Sequence, residues 1–380
     1  RLTRYCLGAV ITSDAQQYLF LRHTPTMQTS KTIYALLICV PTPLDKHREP
    51  DLRFVTATMD SLAPHLRAGQ LLSLESTTWP GTTAEVLAPY FTRAGLTPGE
   101  TAFLVYSPER EDPGNPDFDT SRIPKVVGGD DPASQQAGVA LYSAFIDTVV
   151  PVSSTRAAEM VKLLENIYRA VNIGLVNELK IVAQGMGLDI FEVINAAATK
   201  PFGFKAFYPG PGIGGHCIPI DPFYLTWKAR EYGFHTSMIE ASMMINDHMP
   251  EYTVERCGKI LNRHRKALNG SRVLVLGVAY KQDIDDYRES PALRVIEELE
   301  KTGASVTFYD PYIPEFRYHG KSHKGEAALS AGLLRNTDLV VVTAAHTNVD
   351  YDFVQRHAPA VFDTKNVMKA VAVRTNIEVL

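Results

Sequence analysis

Cysteine is scarce in this chain: Cys6, Cys39, Cys217 and Cys257 lie scattered along 380 residues, with no CxxC pair and no metal-ligand spacing. Disulfides are therefore not expected to organise the fold, no metal is expected, and a reducing cytoplasm is the default compartment. Long apolar runs are missing too; none approaches the ~20 residues that cross a bilayer. Arg1, Arg4, Asp14, Gln16 and Gln17 interrupt any apolar core of a secretory leader, so none is expected. Charge of one sign is not in excess, the formal net charge being -4, which gives no reason to expect nucleic acid or an anionic membrane as partner. Glycine is almost absent at the start. Gly8 is the only one before Gly69, which excludes a glycine-rich phosphate loop from the first 68 residues.

What is present is a globular composition, 45% hydrophobic and 21% charged, in a chain long enough for two or three domains. Residues 34–40 (YALLICV) form an apolar run that ends in Pro41-Thr42-Pro43, as a buried parallel strand does. Residues 71–74, 103–106 and 125–127 read as further strands running into Ser, Thr, Pro or Gly, with helices at 55–66 and 83–94 between them. This alternation implies an α/β, doubly wound parallel sheet. Ligands of such sheets bind beyond the carboxyl ends of the strands, which gathers Thr42, Ser76 to Thr78, Pro108 and Glu109 at one edge. A long amphipathic helix is predicted over 155–184 and a second over 190–198. A Pro/Gly-rich loop fills 201–222, and helix resumes over 223–261. At 272–277 (RVLVLG) a second α/β unit starts, with a helix at 292–302 and strands at 305–309, 339–343 and 360–363. Asp310 falls 33 residues after Gly277, the outline of a βαβ mononucleotide fold. The expected division is a Rossmann-like domain at 1–150, a central helical domain at 151–262 and a second Rossmann-like domain at 263–380.

The most informative segment is the loop Tyr208-Pro209-Gly210-Pro211-Gly212-Ile213-Gly214-Gly215-His216-Cys217-Ile218-Pro219-Ile220-Asp221-Pro222. Four glycines within six residues let backbone approach a ligand closely. On the residues alone, a nucleophilic Cys217 and an incidental cysteine in a glycine-rich turn are about equally weighted. With Cys217 four residues before Asp221, however, the loop resembles the GxGGHCxxxDPxYL motif of the UDP-sugar (nucleotide-sugar) 6-dehydrogenase family. Four further segments resemble that family in order: Glu75-Ser76-Thr77-Thr78-Trp79-Pro80, Ser107-Pro108-Glu109-Arg110, Glu159-Met160-Val161-Lys162-Leu163-Leu164-Glu165-Asn166, and Gly277 to Lys281 followed by Asp283, Asp286, Arg288, Glu289, Ser290 and Pro291. Asp283 and Asp285 read more simply as acidic residues at a helix N-terminus.

The resemblance implies an NAD-dependent oxidation of a sugar C6 alcohol to a carboxylate, with Cys217 as covalent nucleophile and a UDP-sugar as substrate. It implies that Lys162 and Asn166, on one helix face, stabilise the oxyanion; that Asp221 is a base; and that Glu109 and Thr78 serve the hydrolytic water. Thr42, Thr78, Glu109 and Arg288 would meet NAD. Lys162, Asn166, Phe207, Tyr208, Gly214, Lys281 and Lys365 would meet the substrate. The long central helix would form a homodimer, or else pack within its own chain. Residues 200–228 are closest to the UDP-N-acetylglucosamine branch, with UDP-glucose and UDP-N-acetylmannosamine as alternatives. Two departures stand out. The family's DxRN is Asp363-Thr364-Lys365-Asn366 here, which keeps the charge but loses the guanidinium fork. The family's opening strand with GxGxxG has no counterpart in residues 1–33, so a UDP-sugar-binding remnant without NAD is the competing reading.

Overall fold

The computed structural model describes residues 8–12, 18–20, 34–111, 120–215 and 217–380. Their contacts fall into two units, one comprising residues 1–167 and 220–236, the other 168–219 and 237–380.

The first unit holds a sheet in the order β2-β1-β3-β4-β5-β6-β7. Its strands are β1 (Gly8–Thr12), β2 (Tyr18–Phe20), β3 (Ala35–Cys39), β4 (Leu71–Leu74), β5 (Phe103–Tyr106), β6 (Lys125–Gly129) and β7 (Val149–Val152). Helices α1 (Arg53–Leu62), α2 (Ala88–Arg93) and α3 (Pro132–Ser143) connect them. β4 is buried at every position, so its near-continuous apolar sequence follows from cover on both faces. Strands β1, β3, β4 and β5 are parallel neighbours. The sheet is nonetheless mixed: β5 meets β6 antiparallel and β2 meets β1 antiparallel. The reversal at β6 brings Lys125, its first residue, to the edge where β3, β4 and β5 end. The strand character of residues 6–11 and 18–21 is realised as β1 and β2, and β1 fills the place beside β3 in parallel register.

Helix α4 (Thr155–Met186) then runs 32 residues. In the first unit its inner face carries Glu159, Lys162 and Asn166, all buried. The chain passes through α5 (Ile190–Ala197), which belongs to the second unit, and returns with α6 (Asp221–Ala229). A single helix over 223–261 is not what forms. Gly233 takes a left-handed conformation (φ 69°) and ends the helical run, and α7 (Ser237–Arg263) starts afresh.

The second unit contains α7, α8 (Pro291–Lys301), α9 (Ala331–Arg335), α10 (Tyr351–His357) and the strands β8 (Arg272–Leu276), β9 (Ser305–Tyr309), β10 (Glu315–Tyr318), β11 (Lys321–Lys324), β12 (Leu339–Val342), β13 (Val361–Asp363) and β14 (Ile377–Val379). Its main sheet, β14-β13-β12-β8-β9, is parallel throughout. Alternate side chains feed two cores: Val273, Val275, Leu339 and Val341 face one, Leu274, Leu276, Val340 and Val342 the other. Gly277 follows β8 at φ 90°, where a Cβ would lie 2.6 Å from that of Ala344, so only glycine fits. Asp310, at the end of β9, is not open to a ribose. Its carboxylate accepts from the amides of Val278, Ala279, Tyr312 and Ile313 and pairs with buried His346. Nor do Asp283 and Asp285 serve a helix N-terminus, because α8 is capped by Ser290. Asp283 instead accepts from the amide and hydroxyl of Thr347.

Candidate active site

Three strand ends of the first unit converge as the α/β pattern requires. Ser76, after β4, donates to the Val40 carbonyl and accepts from the Val40 amide at 2.7 and 2.8 Å, which ties the ends of β3 and β4 together. The Tyr106 phenol at the end of β5 donates to the Ser76 carbonyl at 3.2 Å. On this frame Thr42 and Thr78 are buried and Glu109 is half exposed. The Thr78 hydroxyl is wholly buried; it lies beside the Tyr106 phenol yet makes no hydrogen bond of normal geometry among the described residues. An orphaned buried hydroxyl at a strand edge is suited to a ligand or an ordered water.

Helix α4 supplies the cationic and amide groups. Lys162 Nζ donates to the carbonyl of Glu109. One turn on, Asn166 donates its amide to the carboxylate of Asp221, the first residue of α6. The unit therefore pairs four of the expected site residues, Lys162 with Glu109 and Asn166 with Asp221. Lys125 approaches Glu109 at 3.5 Å while pairing with buried Glu75 at 2.8 Å.

The residue that sequence reasoning passed over is Glu159. Fully buried one turn before Lys162, it accepts from the amide of Gly81 at 2.5 Å and from the amide and hydroxyl of Thr83 at 2.8 and 2.7 Å. It thus fastens the Trp79-Pro80-Gly81 turn, next to Thr78, onto α4. Burial pushes its carboxyl up to about 7 despite those three donors. Nothing in the sequence separates this glutamate from the solvated ones nearby.

Cys217 belongs to the second unit, where it is a half-buried thiol outside any disulfide; His216 lies outside the described residues. Its loop is held from behind. Asn177 accepts from the Gly210 amide at 3.1 Å and donates to Asn246 at 2.9 Å, and Asn246 donates to the Ala170 carbonyl. At Gly214 a Cβ would sit 2.7 Å from that of Tyr280 and 2.8 Å from Pro291 Cδ, so the loop can lie against this wall only as glycine. Tyr208 stacks on Phe191 and donates to Asn195 at 2.8 Å, while Phe207 packs edge-on against Tyr168. Arg288, fixed to Asp286 by paired hydrogen bonds, is close enough for its charge to interact with Cys217. Lys281 follows the Gly277 turn and is partly exposed. Lys365 keeps part of its side chain at the surface, but the protein around its amine pulls the pKa down to about 8 by desolvation. That amine faces Gly210, whose Cβ would come within 3.0 Å of it.

Comparison with known proteins gives this arrangement its context. Residues 7–146 match the NAD binding domain of the UDP-glucose/GDP-mannose dehydrogenase family, 156–248 its central domain and 274–370 its UDP binding domain. The NAD-domain match thus reaches back to residue 7, into a segment whose sequence was not expected to resemble the family. The chain is 36% identical over 295 residues to UDP-N-acetyl-D-glucosamine 6-dehydrogenase of Pseudomonas aeruginosa, covering 77% of this chain and 69% of that one. It is 34% identical over 343 residues to UDP-N-acetyl-D-mannosamine dehydrogenase of Methanocaldococcus jannaschii, covering 87% and 75%. Among solved structures, a UDP-D-ManNAc dehydrogenase from Pyrococcus horikoshii superposes with a TM-score of 0.83 at 28% identity, covering 94% of this chain and 83% of that one. The cofactor that goes with the N-terminal domain is NAD. The edge at Thr42, Thr78 and Glu109 suits it, with an unsatisfied hydroxyl at hand; the usual glycine cradle for its pyrophosphate is not in the sequence.

Proposed function

The chain belongs to the UDP-glucose/GDP-mannose dehydrogenase family, and we propose that it oxidises the C6 alcohol of UDP-N-acetyl-D-glucosamine to the carboxylate through a thioester on Cys217. The observation that carries this reading is the buried face of α4, where Lys162 and Asn166 are held beside Glu109 and Asp221. Few structural roles require a buried lysine, a buried asparagine and a buried aspartate at one helix face.

Bound NAD supplies the hydride acceptor for each of the two oxidations. The protein's own part begins at Asp221, which takes the proton of the C6 hydroxyl as the aldehyde forms. Asn166 orients that carboxylate. The Cys217 thiolate then adds to the aldehyde carbon, making a C–S bond and placing the negative charge on the C6 oxygen. Lys162, a compact cation, stabilises that oxygen with the Asn166 amide. After the second oxidation the carbon is a thioester. A water oriented by Glu109 and the Thr78 hydroxyl cleaves its C–S bond, releasing the acid and returning the thiol. The carboxylate product bears the charge that Lys162 was placed to meet.

Lys281 and Lys365 hold the UDP portion, with Phe207, Tyr208 and Gly214 shaping the sugar side. Arg288 meets the cofactor. Of the sugars, N-acetylglucosamine is favoured by residues 200–228, which carry Lys200-Pro201-Phe202-Gly203-Phe204 and the Tyr208–Trp227 run. The competing choice is N-acetylmannosamine, the substrate named for several relatives. Leu164, Tyr168, Leu175, Leu179, Val182 and Met186 form an exposed apolar stripe along α4. Their spacings of four, seven, four, three and four match a coiled-coil seam, which supports a homodimer through this helix. No helix among the described residues is long and apolar enough to cross a membrane, and a cytoplasmic site of action is consistent with the reducing chemistry a working thiol needs.

The test is NADH formation with UDP-N-acetylglucosamine, UDP-N-acetylmannosamine and UDP-glucose in parallel. The proposal expects two NADH per molecule of the first and little from the others. One NADH per sugar would refute the thioester route, and preference for another sugar would reassign the substrate.

A further inference from the structure

An open groove lies in the second unit, formed by the last turns of α4, the C-terminal half of α7 and β14. Its volume is about 810 Å³, within the range of ligand sites. Arg256, Lys259 and Arg263 of α7 line it together with His248 and Glu378. The charges do not cancel locally. Lys259 is paired with Glu255 at 2.5 Å, which leaves Glu378 as the single carboxylate between two guanidiniums, hydrogen-bonded to Arg263 and 3.5 Å from Arg256.

Arg256 is the telling residue. It is only 7% exposed, yet its Nε has no hydrogen-bond partner among the described residues. A buried guanidinium donor without an acceptor carries a desolvation cost that a bound anion removes. Near it, Lys180 of α4 is 4% exposed and donates to the neutral carbonyl oxygen of Gln184 at 3.1 Å, with the Asp189 carboxylate close enough for its charge to act on the amine. Burial, and then the charge of Arg256, lowers its pKa to about 8. Two buried cations within reach of each other's charge, with Glu378 beside one and Asp189 acting on the other, favour a further anion beside them.

We propose that this groove binds a phosphate group, with Arg256 Nε as the central donor and Arg263 at the mouth. Guanidinium donors from two turns of α7 suit a phosphate oxyanion, which accepts several hydrogen bonds at once. The chemistry is that of inorganic phosphate or of a phosphomonoester such as a sugar phosphate. None of these residues belongs to the proposed catalytic machinery, so the site is independent of the reaction assigned above.

Thermal unfolding of the whole chain tests it, with inorganic phosphate or glucose 6-phosphate titrated against chloride at constant ionic strength. A ligand that binds the native state raises the transition saturably, here by roughly 2–4 °C. In Arg263→Gln, an exposed position that folding tolerates, half-saturation should move up by about tenfold or more. In Arg256→Gln the response should vanish. A response to the ester at lower concentration identifies phosphomonoesters as the ligand; equal or weaker response identifies phosphate itself. No saturable rise in the parent protein, or the same rise in both variants, overturns the proposal. Should Arg256→Gln fail to fold, Arg263→Gln alone decides.

Discussion

Replacing Glu159 with glutamine separates the charge of this buried carboxyl from its shape. In the parent protein its pKa stands at about 7, against 4.5 for an ordinary glutamate, because burial outweighs the donors from Gly81 and Thr83. The folded state therefore binds a proton more tightly than the unfolded chain between those two values. Stability from this group is fully present below pH 4.5 and is lost as pH rises to about 7. Between pH 5 and pH 8 the loss is on the order of 2–3 kcal/mol, from ~1.4 kcal/mol per pKa unit. Glutamine does not titrate. It can still accept from Thr83 through its carbonyl, but its amide opposes the Gly81 N–H, so the variant should be less stable than the parent at pH 5 by about 2–4 kcal/mol. That deficit should shrink by the same 2–3 kcal/mol at pH 8. Thermal or urea unfolding of both proteins at the two pH values measures it. A deficit that stays constant with pH would show that Glu159 ionises normally and that its burial does not perturb it.

Two further substitutions probe the second unit. Gly214→Ala drives a methyl into Tyr280 and Pro291 at 2.7 and 2.8 Å. The cost should be about 1–3 kcal/mol, with dehydrogenase activity falling at least tenfold because the displaced loop carries Cys217; unchanged unfolding and activity would refute the close approach. Lys365, with its amine at about 8, should take up a proton when UDP phosphates arrive, so UDP affinity should fall as pH rises past 8. Calorimetry at pH 7 and pH 9 reads this, and the same dependence in Lys365→Met would exclude Lys365 from the contact. Without ligand the sign is reversed: the depressed amine should let stability rise with pH between about 8 and 10.5.

The strand ends were legible because apolar runs such as residues 34–40 and 71–74 stop abruptly at polar or proline residues, and buried parallel strands leave that signature. The second unit was readable for the same reason. Less was recoverable where direction or partnership decides. Residues 125–129 have strand character, but nothing in five residues says that β6 runs antiparallel to β5, and that reversal is what brings Lys125 to Glu109. Asn166 and Asp221 stand 55 residues apart, so their hydrogen bond follows from the fold rather than from either motif. Asp283 looked like an acidic helix start because Pro291 and its helix follow closely; the turn at positive φ that hands its carboxylate to Thr347 has no local pattern. Glu159 was visible only as one charged residue in a helix full of them.

The proposed reaction turns on a covalent bond between Cys217 and the sugar carbon. Mass spectrometry of the protein, quenched in acid during turnover with UDP-N-acetylglucosamine and NAD, reads that bond. An adduct of the sugar-nucleotide is expected on the peptide containing Cys217, cleaved by hydroxylamine as a thioester is. Cys217→Ser should show no such adduct and form no acid. Full acid production by Cys217→Ser, or an adduct on any other residue, would contradict it.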